Sequence, residues 1–65
     1  MADKPSRRQV MTAFGRWLDY AEWKARVQAG LEDPPEGDTV SDMARSVLTL
    51  HREYTDLAEA FLHGR

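Results

Sequence analysis

Apolar residues recur at intervals of three and four along two stretches of this chain, and a proline-containing break separates them. The first stretch runs Met11, Phe14, Leu18, Ala21, Ala25; the second runs Val40, Met43, Val47, Leu50, Tyr54, Leu57, Phe61. Between them lies Leu31-Glu32-Asp33-Pro34-Pro35-Glu36-Gly37-Asp38. A three-four spacing marks an α-helix with one buried stripe. Consecutive prolines cannot continue a helix, because proline lacks the backbone N–H and clashes with the preceding turn. The pattern therefore predicts an all-α fold built as a two-helix antiparallel hairpin. It is read as one domain over residues 1–65, with helix 1 over about 7–29, a loop over about 30–39 and helix 2 over about 40–62.

The residues that flank each stripe agree with these limits. Ser6 and Gln9 have the spacing of a capping box, in which each side chain serves the other residue's backbone N–H. Gly30 can take the left-handed conformation that ends a helix, with Leu31 placed to fold back as its apolar partner. Thr39 and Asp42 repeat the capping spacing at the start of helix 2, where an acid also suits the helix dipole. Glu22 with Arg26, and Arg52 with Asp56, are spaced for ion pairs along a helix.

Helix 1 carries more apolar surface than one stripe requires. At 100° per residue, Val10 and Trp17 widen the stripe, and beyond them lie Ala13, Tyr20, Val27 and Trp23. The apolar arc spans about 200°, roughly twice what a surface helix needs to cover a core. With helix 2 laid on the Met11–Ala25 stripe, the aromatic side would stay open. Tryptophan and tyrosine are favoured interface anchors. Trp17, Tyr20, Trp23 and Val27 are therefore the candidate partner-binding residues. On helix 2, Ala44, Leu48, Ala58 and Leu62 flank the stripe, with His51 among them at what reads as the edge of a core.

Size sharpens the need for a partner. A chain of 65 residues buries only about 60% of the surface its unfolded form exposes, so its stability is marginal without a staple. There is no cysteine, and His51 and His63 are the only histidines. Disulfides and thiolate metal sites are excluded, and no metal or cofactor is expected. Self-association remains, and the hairpin is expected to form a homodimeric four-helix bundle.

Charge adds an asymmetry. Residues 1–30 carry six basic and three acidic side chains, and residues 31–65 carry three basic and eight acidic. The net charges of +3 and −5 sum to the overall −2. Two such halves attract within a hairpin, and the same polarity favours an antiparallel pair of protomers. Lys4, Arg7, Arg8 and Arg16 gather near the N-terminus and are the candidate nucleic-acid contacts, through phosphate neutralisation. The pI of about 5.5 opposes that reading, since dedicated nucleic-acid binders are usually basic.

No phosphate-binding loop, zinc-protease motif or nucleophile elbow occurs. Glu59 and His63 are four residues apart, whereas a Glu-x-x-His metal motif needs three. No apolar run approaches the ~20 residues that span a bilayer, and no uninterrupted apolar segment follows the N-terminal charges as in a signal peptide. The expectation is a cytoplasmic, non-enzymatic interaction or regulatory module, such as an adaptor, accessory subunit or inhibitor. It would bind a protein partner through the aromatic face of helix 1. A nucleic-acid-binding dimer is the alternative.

Overall fold

The structure, a computed structural model, describes residues 4–63. Two helices, α1 (Arg7–Gln28) and α2 (Val40–His63), pack against each other as an antiparallel hairpin. No strand occurs among the described residues. The hairpin is a rod, 44 × 16 × 15 Å in extent.

Local chemistry explains where each helix begins and ends. Ser6 caps α1 from an extended backbone, with φ −81° and ψ 159°. The Gln9 backbone N–H donates to Ser6 Oγ at 3.1 Å, and the Ser6 N–H donates to Gln9 Oε1 at 2.7 Å. Two of the N–H groups that a helix start leaves without partners are thus satisfied. At the other end, Gly30 adopts φ +80°. The Leu31 N–H then reaches Arg26 O at 2.9 Å, and the Gly30 N–H reaches Val27 O at 3.0 Å. This is the paired bonding of a Schellman ending. Leu31, placed to supply the apolar contact that accompanies such an ending, stays 74% exposed.

α2 opens with the reciprocal pair Thr39 and Asp42. The Thr39 N–H donates to Asp42 Oδ2 at 2.9 Å, and the Asp42 N–H donates to Thr39 Oγ1 at 3.3 Å. The Thr39 hydroxyl also donates to Asp42 Oδ2 at 3.1 Å. These bonds, the backbone one foremost, favour the ionised carboxyl and hold the Asp42 pKa below its ordinary value; nearby Arg45 acts in the same direction.

The stripe on α2 faces inward as its spacing implies. Met43 is fully buried, and Val40, Val47, Leu50, Tyr54, Leu57 and Phe61 are half-buried. On α1 the inner face is shifted from the expected one, of which Phe14 and Ala21 remain half-buried. Ala13 is the buried residue, and Val10, Trp17, Tyr20 and Val27 are half-buried around it. Met11 and Leu18 remain 56% and 40% exposed, and Ala25 is exposed too. The helix is turned by about 100°, one residue's rotation, relative to a hairpin closed on the Met11–Ala25 stripe. Burying two large aromatic rings and a valine removes more apolar surface from water than burying methionine, leucine and alanines. The wide apolar arc permitted either rotation, and aromatic area decided between them.

The helices are held in register by aromatic contacts at mid-length. The Trp17 ring lies nearly parallel to that of Tyr54, with an interplanar angle of 5° and centroids 5.8 Å apart. Phe14 meets Tyr54 at 5.2 Å, and His51 meets Trp17 edge-on at 4.7 Å. Near the open end, Lys4 Nζ sits 5.0 Å from the centroid of Phe61.

The Asp42 cap predicts an acid-sensitive helix start. A carboxyl with a lowered folded-state pKa contributes stability above its ordinary value and loses it as pH falls through the lowered one. In an Asp42→Asn protein, helicity followed by circular dichroism should be lower at neutral pH and should fall less on acidification below about pH 4. Superimposable pH profiles for the two proteins would contradict the role given to Asp42.

Candidate functional site

The two broad sides of the hairpin differ in chemistry. One holds an open groove of about 1310 Å³ along the junction of the helices, extending to the loop. Tyr20 and Trp23 of α1 and Leu50 of α2 give it an apolar lining, while Ser46 and Thr49 contribute hydroxyls. The Thr49 hydroxyl is already engaged, donating to Arg45 O at 3.2 Å.

The loop fixes the aromatic part of this groove. The Trp23 indole N–H donates to Asp33 O at 3.3 Å, and the Tyr20 and Trp23 rings meet edge to face at 5.5 Å. Trp23 therefore lies across the loop and ties it to α1. Arg26 is drawn to the same loop, where its guanidinium bonds to Glu32 and is held in its charged form. The helical pair expected between Glu22 and Arg26 gives way to this loop contact. Arg52 and Asp56 likewise form no ion pair within contact distance among the described residues.

Charge around the groove is unbalanced. Its lining includes Arg16, Arg26 and Arg45, against Asp19, Glu32, Asp33, Asp38 and Asp42. Each guanidinium has a carboxylate beside it: Arg16 meets Glu53 at 4.0 Å, Arg26 meets Glu32, and Arg45 meets Asp42 at 3.8 Å. Among the described residues, Asp19, Asp33 and Asp38 enter no ion pair. The groove is thus an aromatic trough with surplus negative charge.

The four aromatic-face candidates divide in two. Tyr20 and Trp23 line the groove, whereas Trp17 stacks between α1 and α2 and Val27 is half-buried outside the groove lining. The basic candidates are not gathered into one surface. Lys4 is placed over Phe61 and Arg16 beside Glu53, about 13.5 Å along the helix from Arg7 at 1.5 Å per residue. Arg7 and Arg8 lie exposed in the first turn of α1. The α2 contribution to the groove went unread in the sequence, although Asp42, Arg45, Ser46 and Thr49 form a polar stripe beside the apolar one. No group of three or more histidines, aspartates and glutamates suited to a metal ion occurs among the described residues, and no helix of the described residues is long and apolar enough to cross a membrane.

The opposite broad side is apolar. The Met11, Phe14 and Leu18 stripe of α1 turns away from the groove, as do Leu48, His51 and Leu62 of α2 at 100° per residue. Leu48 and Leu62 are 68% and 78% exposed. Gly15 lies on the edge of this side, and a Cβ built on it would meet nothing within 4 Å. The chain matches no family model, no curated protein and no solved structure.

The division of the aromatic residues is testable by two substitutions. Trp17→Ala removes the central stack and should destabilise the hairpin on the order of 2 kcal/mol or more, visible as a large loss of helicity. Trp23→Phe keeps an aromatic ring, though a smaller one, and deletes the indole N–H; it should leave helicity near the parent's while speeding proteolysis in the Gly30–Gly37 loop. Equal loss of helicity in both proteins would place Trp23 in the structural core.

Proposed function

We propose that this protein is a small non-enzymatic interaction module that pairs with itself as a four-helix bundle and binds a protein partner through the Tyr20–Trp23 groove. The observation that supports this reading is the unfinished core. Only Ala13 and Met43 are buried among the described residues, while Met11, Leu18, Leu31, Leu48 and Leu62 stay open to solvent. Large exposed apolar patches are uncommon on soluble monomers and mark association sites.

The groove supplies the second contact surface. Its aromatic lining suits an amphipathic segment, and its unpaired carboxylates suit lysine or arginine side chains on that segment. A cation over an indole or phenol ring gains further from the ring quadrupole. The reaction chemistry of an enzyme has little to work with here. Ser46 and Thr49 line the groove, but neither histidine does. The protein is accordingly proposed to act by occupying or organising its partner, in the manner of an adaptor, accessory subunit or inhibitor, within the cytoplasm.

Two measurements bear on this reading. Self-pairing makes thermal stability depend on protein concentration, so the midpoint of unfolding should rise between about 5 and 500 µM. A midpoint independent of concentration argues against pairing. For the groove, titration with a lysine-rich amphipathic peptide of about a dozen residues should change tryptophan fluorescence with a salt-dependent affinity. The change should be lost in Trp23→Ala. An unchanged signal, or equal binding by Trp23→Ala, would remove the groove from the proposal.

A further inference from the structure

A hairpin that pairs with itself has two broad sides to choose from, and the aromatic stripe is the one its sequence advertises. The structure assigns the pairing surface to the other side: the apolar flank formed by Met11, Phe14 and Leu18 of α1 with Leu48, His51 and Leu62 of α2 is covered by the same flank of a second copy. This rests on the self-pairing proposed above and names the surface that carries it.

Three observations lead to that choice. The first is area. A compact monomer of 7.5 kDa exposes about 4,250 Å² by the size scaling of folded proteins, whereas this chain exposes 5109 Å². The surplus of roughly 860 Å² is close to the ~800 Å² that each partner contributes to a standard protein interface.

The second observation is where the exposed apolar side chains stand. Four of the five large ones, Met11, Leu18, Leu48 and Leu62, project onto this flank. Phe14 and His51 bridge them across the junction, through Tyr54 and Trp17 respectively. The flank is therefore continuous across both helices. A two-fold pairing requires a self-complementary patch of this kind, in which each element meets its counterpart.

The third is charge. At 100° per residue, His51 and, at the open end, Arg7 project within this flank, while Glu22 and Glu59 stand on its rims, 20° beyond Met11 and Leu48. Covering it leaves Glu22 and Glu59 at the rim, in reach of water, whereas covering the groove side would bury Asp19, Asp33 and Asp38, which have no ion-pair partner among the described residues. Desolvating unpaired carboxylates opposes association strongly. The side that pairs is then the side without them, and the groove stays open on the outside of the pair.

The test uses the absence of cysteine from the chain. Single-cysteine proteins are made at Leu18, Leu48 and Thr49, and maleimide labelling rates are measured at 5 and 500 µM beside sedimentation of the parent protein. The expected result is a dimeric parent, with Leu18→Cys and Leu48→Cys labelled at least tenfold more slowly at the higher concentration and Thr49→Cys labelled equally at both. In parallel, Leu18→Glu and Leu48→Glu should each raise the dimer dissociation constant by about a hundredfold, since each places two charges in the interface. A parent that sediments as a monomer at 500 µM overturns the pairing reading itself and this inference with it. A dimeric parent whose Thr49→Cys is protected while Leu18→Cys and Leu48→Cys are not overturns only the choice of flank, and pairing stands.

Discussion

Two cylinders laid side by side touch along a line, and that geometry limits how much apolar surface a helical hairpin can remove from water. Here the line runs through Ala13 and Met43, the two residues buried among those described. Flanking side chains are sheltered on one side only. Large rings extend the line most effectively, because each covers area that a leucine cannot. This is why the Trp17–Tyr54 stack and the Phe14–Tyr54 contact occupy the middle of the molecule, and why α1 turns its aromatic side inward. The aliphatic stripe of α1 is left outside by the same choice.

The inward turn of α1 also separates the molecule into two chemistries. Arg16, Asp19, Arg26, Asp42 and Arg45 line one broad side, with the loop closing its end through Trp23 and Arg26. Aliphatic residues collect on the other. Neither pattern is visible on one helix alone; each arises when the flanks of α1 and α2 are brought to the same side. The surface ion pairs add little stability themselves, being exposed and screened. Their consequence is selective, since among the described residues Asp19, Asp33 and Asp38 are left outside the ion pairs of the groove.

Much of the fold was legible in the chain because its signals are local. The capping spacings of Ser6 with Gln9 and of Thr39 with Asp42 need no tertiary information, and Gly30 followed by a double proline stops a helix in any context. The stripe of α2 reads correctly because only one of its faces is strongly apolar. The rotation of α1 was not legible. Periodicity locates apolar positions, but an arc of about 200° offers two faces of similar width, and choosing between them requires the area that each buries against a particular neighbour. The candidate site inherits that ambiguity. Of the candidates Trp17, Tyr20, Trp23 and Val27, Tyr20 and Trp23 line the groove, Trp17 sits between the helices and Val27 lies outside the lining, and the α2 side of the groove emerges only once the helices are docked.

The single loop between the helices has a kinetic consequence. Every contact between α1 and α2 is closed by the short segment from Ala29 to Thr39, so residues near it are close in sequence before they are close in space. Closing a loop of about ten residues takes on the order of 10–100 ns, and helix elongation is faster still. With both helix starts capped by their own neighbours, the chain can zip outward from the turn with little entropy lost at each step. Chains with such local topology fold in microseconds to milliseconds. The topology of the hairpin therefore favours rapid formation of the α1–α2 contacts, ahead of any pairing step.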